Sequence, residues 1–526
     1  MRGERLLRWV GARHTRRHRR RAADRSTRLL LQVLFDAIES ALPQPTEAFL
    51  ETVDRAKRQF AERLTDPKER VRALLFAAKA ANILVARHEY LHQRINVIAR
   101  PAGFMVDPAN GCQLGCPTCA NTYNRDFAAA TFNPWPKAIL GADLYDTLLD
   151  EVGVTAFNGH FYNKSEPFLN RRTPHYVRRA HELQVKTSIS TNFSFGKLDV
   201  DAIVESGLDE LVVAIDGATQ DVYSVYRRGG HIDLVYENIR RLVEAKRRRR
   251  VSHPWIRWHY LTFEHNIHQI DMATAIARDL GVDLFFATTP IDVSAEEPGI
   301  AVAVYKGRNR FVVFRPYEPS FCDADPTPMA AAVERRFGES VVERFHQLAR
   351  PFAPEEAAPE RDDHCDWLYL GTIMEAAGRL VPCCMGDNKG AGRFVIGHVE
   401  QDRANLLNSP GYREARTFVN NPARHAVVTA DRPPSEVVRC KTCRGRPYPQ
   451  IGLDAVQGYV GDMWRGPTAG WVSEDTAARL GGWSRHAIEP VDASSPRVPA
   501  APRRVSAGPA VGTLARLRNT WKSLKG

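Results

Sequence analysis

Between residues 100 and 290 the chain alternates two textures. Short apolar runs come first: "AGFMVDP", "VTAFNGHFY", "VKTSIST", "DELVVAID", "WIRWHYLTF" and "VDLFFAT". Between them lie stretches with apolar residues three and four apart, such as "DLYDTLLDEV", "IDLVYENIRRLVEAK" and "IHQIDMATAIARDLG". The runs predict strands and the stretches predict amphipathic helices. Six strands alternating with helices predict an α/β fold with parallel pairing, built as a partial (β/α)6 barrel. Such a fold places its active site at the C-terminal strand ends.

The flanks read differently. Residues 1–26 form a basic tail. Residues 27–99 read as a helical extension of three helices, with "DPKERVRALLFAAKAANILVARHEYLH" opening on an Asp-Pro start signal. Residues 291–360 form a connecting region with one strand candidate, "RFVVFRP", and one helix, "PMAAAVERRFGESVVERFHQLA". Residues 361–445 form a cysteine-bearing module, 446–492 are irregular, and 493–510 read as a Pro/Ala/Ser linker. In 511–526, Leu514, Leu517, Trp521 and Leu524 share one face of a basic amphipathic helix.

Charge changes the picture only at the ends. The formal net charge is +12, yet residues 1–30 carry +9 and residues 493–526 carry +7, which leaves 31–492 at −4. The basic tails attract polyanions without specificity, so no specific nucleic-acid site is expected. "RRRR" at Arg247–Arg250 ends a predicted helix, where the dipole favours cations. No apolar run reaches the roughly 18 residues of a membrane span. We expect a cytoplasmic protein whose cysteines are thiols or metal ligands rather than disulfides.

Three of the nine cysteines fall in one decapeptide, "NGCQLGCPTC". Cys112, Cys116 and Cys119 are spaced C-x3-C-x2-C at the end of the first predicted strand. A structural zinc site wants four ligands, and no fourth Cys or His follows closely. Three thiolates on a four-iron cluster would leave one iron open to a cofactor.

On these residues the chain resembles the radical S-adenosylmethionine (radical SAM) superfamily. The resemblance implies that the open iron chelates SAM, that an electron from the cluster breaks its sulfonium bond, and that the resulting 5′-deoxyadenosyl radical takes a substrate hydrogen atom. "NKSEPFLN", Asn163–Asn170, resembles the family's G-G-E-P-L-L-N element, with Lys164 and Ser165 in place of the glycines. By that likeness Glu166 helps to hold the SAM amino group. "STN" brings Asn192 to the end of the third strand. "VAIDGATQDVYSVYRRGG" resembles the segment V-S-I-D-G-x-T-x-x-x-Y-x-x-x-R. It implies Asp216 at the SAM ribose and Arg227 or Arg228 at its carboxylate. Thr118 stands where the family often has an aromatic residue.

A second constellation, Cys365-x12-Gly378-x4-Cys383 with Cys440-x2-Cys443 behind it, suits tetrahedral zinc by residue type alone. It also resembles the entry motif of the SPASM domain and its shorter twitch relative. "VIGHVEQDRANLLNSPGYREAR" adds to that likeness. The resemblance implies an auxiliary [4Fe–4S] cluster on Cys365, Cys383, Cys440 and Cys443, with the adjoining Cys384 a spare or alternative ligand. Cys322 stands between the two regions as a free thiol or a hydrogen donor.

The chain is therefore expected to be a radical SAM enzyme: a partial barrel, a helical extension and a small C-terminal twitch-like domain. The twitch likeness implies oxidation of a sugar or aminocyclitol-like small molecule, with flavodoxin or ferredoxin as reductant. The alternatives are an epimerase, a peptide maturase, and a non-enzymatic iron–sulfur electron carrier. His160, His259 and His265, near strand ends, are candidate bases.

Overall fold

The structure is a computed structural model. It describes residues 93–117, 119, 137–290, 300–305, 309–315, 317, 365, 367–383, 395–402 and 405–420, with scattered positions between 75 and 90. The basic tail, most of the three expected N-terminal helices, the helix expected after residue 327, the linker, the C-terminal helix, and Thr118, Cys322, Cys384, Cys440 and Cys443 lie outside the described residues.

All six expected strands form: β1 (Gly103–Val106), β2 (Asn158–His160), β3 (Lys186–Thr191), β4 (Glu210–Ala214), β5 (Trp255–Leu261) and β6 (Leu284–Thr288). Among the described residues the helices between them are α1 (Ala142–Val152), α2 (Thr173–Glu182), α3 (Val200–Glu205), α4 (Gln220–Tyr226), α5 (Ile232–Arg249) and α6 (Ile270–Leu280). Neighbouring strands β1 to β6 pair in parallel throughout.

Strand alternation sorts the side chains. Leu211, Val213, Ile256, Trp258, Tyr260 and Phe285 are buried in the main core with the helices. Trp258 is fully buried and donates its indole N–H to the Ile215 carbonyl at 2.8 Å. The alternate residues on the opposite face include His160, Ser188, Glu210, Arg257 and His259. The "RRRR" run closes α5, and Arg248 and Arg249 there reach Asp201 at 3.0 and 3.2 Å.

The sheet extends at both edges. β7 (Arg310–Val313), from the connecting region, adds antiparallel to β6. At the other edge β8 (Gly371–Met374) pairs in parallel with β1 along all four residues. β9 (Arg379–Val381) and β10 (Gly397–His398) follow antiparallel, so the order is β10-β9-β8-β1-β2-β3-β4-β5-β6-β7. The C-terminal region thus continues the barrel sheet instead of hanging from it.

The motif residues of this region explain that fit. Gly378 sits at φ +86 in the β8–β9 turn, a conformation that costs an L side chain strain. Ser409, Tyr412 and Arg416 ride at the start and on the face of α7 (Pro410–Asn420). The Ser409 hydroxyl donates to the Ile396 carbonyl at 2.7 Å, and the Tyr412 hydroxyl to the Gly371 carbonyl at 2.9 Å. Fully buried Arg416 donates to the carbonyls of Ile95 and Leu368 at 2.9 and 2.8 Å. The spacing that resembles a family element therefore works here as a brace, because a buried guanidinium needs several acceptors at once. On the N-terminal side, buried Lys79 donates to the carbonyls of Leu183 and Gln184, both at 2.9 Å.

Candidate functional site

The cysteine loop leaves β1 at Asp107 and is held from several sides. The amide of Asn110 donates to the Ala138 carbonyl at 2.8 Å, that of Glu166 to the Gly111 carbonyl at 2.8 Å, and that of Gly115 to the Arg228 carbonyl at 2.9 Å. Buried Asp107 accepts from the amides of Asn163 and Lys164 and from the Ser165 hydroxyl at 2.9, 3.2 and 2.6 Å. The residues standing in place of the family's glycines thus tie the loop after β2 to the end of β1. Asn110 also reaches the C-terminal region: its amide donates to Glu375 Oε2 at 2.5 Å, and its Oδ1 accepts from the Ala376 N–H at 3.0 Å.

The loop brings Cys112, Cys116 and Cys119 into one apolar cluster with Leu114, Tyr226, Phe263 and Ile300. Burial pushes the Cys112 thiol up to about 12 and the Cys116 thiol up to about 11 in the metal-free chain. A coordinated metal would deprotonate such thiols outright. Asn192 Nδ2 lies 3.6 Å from Cys112 Sγ, and Arg227 Nη1 lies 3.9 Å from Cys116 Sγ. Among the described residues no three His, Cys, Asp or Glu side chains are drawn together around a single ion. The fit to a thiolate-bound iron–sulfur group rests on the donor set: three sulfurs in one loop, two of them facing N–H donors, in apolar surroundings.

The carboxylates expected at SAM are engaged inside the protein. Glu166, 2% exposed, accepts from the Thr191 hydroxyl at 2.7 Å, the Asn192 amide at 2.8 Å and the Phe168 amide at 3.2 Å. Burial raises its carboxyl to about 7 against those donors. Asp216 is 0% exposed. Its Oδ2 accepts from Arg227 Nε at 2.6 Å and its Oδ1 from the Leu261 amide at 2.7 Å. Burial pushes this carboxyl up while Arg227 pulls it back; burial also works against the Arg227 charge, and Asp216 overrides it, leaving Arg227 well above its ordinary value. In this arrangement each Asp216 oxygen accepts one hydrogen bond from the protein. Exposed Arg228 stands beside the loop through its own backbone.

Two positioning residues escaped the sequence reading. Gln113 and Asn192 form a reciprocal amide pair, with Nε2 to Oδ1 at 2.9 Å and Nδ2 to Oε1 at 3.2 Å. Fully buried Asn266 ties the Asp216 and Leu261 carbonyls with its amide at 3.1 and 2.9 Å. Gln113 lay inside the quoted decapeptide. Asn266 carried no local signal.

The histidines separate. His160 Nδ1 is 2.5 Å from Ser188 Oγ. His259 stacks on Phe286 with ring centroids 5.5 Å apart, and burial, then Arg257 and Arg227, lower it to about 3. His265 stacks on Phe263 at 5.4 Å, lowered by burial. Glu210 and Arg257 approach to 3.3 Å on the same face as His259. Cys365 and Cys383 come to one apolar patch formed by Trp367, Ile373 and Val381, with Met105 of β1 packed against it. No helix among the described residues is long and apolar enough to cross a membrane.

Residues 106–256 match the radical SAM superfamily. Streptococcus suis SuiB bound to S-adenosylmethionine is similar at 16% identity over 72% of this chain and 75% of that one, with a TM-score of 0.39. BtrN in complex with AdoMet and 2-DOIA is similar at 13% identity over 65% and 92%, with a TM-score of 0.32. Native anSMEcpe with bound AdoMet is similar at 13% identity over 60% and 82%, with a TM-score of 0.35. At these identities and scores the three bear on neither substrate nor reaction. No curated protein matches the sequence.

Proposed function

From the premise that residues 106–256 form a radical SAM superfamily domain, we propose that the chain oxidises a polar small molecule of the sugar or aminocyclitol type. The observation that carries the reading is the thiol loop itself. Cys112, Cys116 and Cys119 stand at the C-terminal end of a parallel strand with N–H donors on two sulfurs. These three thiolates hold the [4Fe–4S] cluster. When bound, the cluster and SAM supply reductive cleavage of the sulfonium and removal of a hydrogen atom from a substrate C–H bond.

The chain's residues do the rest. Glu166 braces the loop after β2 against the end of β3, and Asn192 and Gln113 lock the Cys112 side. Arg228 and the outer edge of Arg227 meet the SAM carboxylate; Asp216 acts from behind, through Arg227. The face of the sheet opposite the main core carries His160, Ser188, Glu210, Arg257 and His259, hydrogen-bonding groups suited to a hydroxylated substrate. His259 stays neutral at working pH and accepts or donates without charge. Oxidation by two electrons also needs a proton acceptor and an electron acceptor. His160, whose Nδ1 lies 2.5 Å from Ser188 Oγ, serves as the first. Cys365 and Cys383, with Cys440 and Cys443 by the sequence resemblance, would hold an auxiliary cluster for the second.

The test is anaerobic reconstitution of the full chain, with sugars and aminocyclitols offered in deuterated water. About eight irons per chain are expected if both sites hold [4Fe–4S] clusters. The Cys112/Cys116/Cys119→Ala variant should lose about half of them and all 5′-deoxyadenosine formation. Retained cleavage in that variant overturns the site. A product two mass units lighter than substrate supports oxidation. A product carrying one added deuterium, lost on Cys322→Ala, establishes an epimerase instead.

A further inference from the structure

We propose that Arg227 and Asn192 set the reduction potential of the cluster held by Cys112, Cys116 and Cys119, with Asp216 as the residue that positions Arg227; this rests on the ligand assignment above. The reading begins with where the N–H groups point. Arg227 spends Nε on Asp216 at 2.6 Å, and the planar guanidinium then carries Nη1 to 3.9 Å from Cys116 Sγ. The anchor does not swing. Asp216 is 0% exposed, its second oxygen accepts from the Leu261 amide at 2.7 Å, and its own carbonyl is held by Asn266 at 3.1 Å. The Arg227 side chain is itself only 14% exposed, so its charge is poorly screened by solvent.

The Cys112 side is built differently. Asn192 Oδ1 accepts from Gln113 Nε2 and from the Ser194 amide, both at 2.9 Å. Two donors on that oxygen fix which end of the amide is which. The NH2 end is therefore left facing Cys112 Sγ at 3.6 Å. One sulfur meets a charged donor and another meets a neutral one.

A thiolate-ligated cluster gains negative charge on reduction. Donors and a cation at the sulfurs favour the reduced form, and hydrogen bonds to sulfur are a recognised lever on potential. A charged donor is worth roughly twice a neutral one, so Arg227 should weigh more than Asn192. Neither Arg227 nor Asp216 need touch SAM for this effect, which separates it from cofactor binding.

The experiment is an EPR-monitored redox titration of the reconstituted full-length chain without SAM, reading the signal that the Cys112→Ala variant lacks. Arg227→Gln should lower the reduced-to-oxidised ratio at fixed poise about tenfold, or about 59 mV for one electron. Asn192→Ala should lower it about threefold, half as much in free energy. Arg227→Lys should recover part of the Arg227→Gln loss by restoring the charge. Asp216→Asn should shift the ratio in the same direction as Arg227→Gln and add little to it in the double variant. If Arg227→Gln holds no cluster, Arg227→Lys and Asn192→Ala still decide the question. Unchanged ratios in variants of full iron content overturn the proposal while leaving the ligand assignment intact. An upward shift in Asp216→Asn overturns the positioning role, since it would report only the loss of a nearby negative charge. A wild-type chain with no signal dependent on Cys112 defeats the underlying reading instead.

Discussion

Two shoulders grip the cysteine loop, and each hides a carboxylate. On the β2–β3 side Glu166 is satisfied by neutral donors: one hydroxyl and two backbone amides. On the β4–β5 side Asp216 is satisfied by a guanidinium and one amide. The depth is similar, at 2% and 0% exposure, and burial raises both carboxyls, but the direct donors differ in charge. Neutral donors leave the ionised form of Glu166 paying for its burial, so its carboxyl rises to about 7. Asp216 is locked to a fixed cation. One shoulder should respond to pH near neutrality, and the other should respond to loss of its partner.

The largest effect is expected on the paired side. Arg227→Met keeps bulk but leaves Asp216 buried without its cation, and breaking such a pair costs about 3–5 kcal/mol. Urea unfolding of the iron-free protein measures it; a loss below 1 kcal/mol would mean that the Asp216 site rehydrates or that its carboxyl simply takes up a proton.

Next comes the pH response of Glu166. Its folded value of about 7 exceeds the ordinary 4.5, so the folded chain binds the extra proton between those values. Stability from this group is then highest below about pH 4.5, falls as pH rises toward 7, and is flat above. The whole span is worth about 3 kcal/mol, taking roughly 1.4 kcal/mol for each pKa step. Thermal unfolding across pH 4.5 to 7.5 should show this slope in wild type and a shallower one in Glu166→Gln. Identical slopes would remove the contrast between the shoulders.

The smallest effect is the removal of one donor. Thr191→Val deletes the hydroxyl that meets Glu166 at 2.7 Å and should cost about 2 kcal/mol near neutral pH, where part of the carboxyl is ionised. The cost should shrink under acid conditions, and a pH-independent loss would assign it to packing instead.

The strands of the barrel were legible because each announces itself within a few residues. "VKTSIST" and "WIRWHYLTF" alternate, and the helices between them keep their spacing. The cysteine spacing was legible for the same reason. The partners of Glu166 and Asp216 were not. Thr191 lies 25 residues from Glu166, and Leu261 lies 45 from Asp216. Those contacts arise only when strand register is set, and register is a property of the whole sheet. The resemblance implies both acids at the cofactor; the structure adds the protein donors that each of them meets. Likewise nothing near Gly371 announces that it lies beside Gly103 in a parallel ladder.

That last pairing bears on what can be cut from what. β8 covers the open side of β1 along Gly103–Val106, and the Asn110 side chain is clasped by Glu375 and Ala376 just beyond it. A fragment ending before residue 361 would leave a row of bare N–H and C=O groups on β1, next to apolar Met105. Such an edge is a template for pairing with another chain. The C-terminal strands are therefore not a cartridge to be swapped between barrels. They are the selvedge of this one, and gene fusions or truncations that treat residue 361 as a seam should yield aggregates rather than a smaller enzyme.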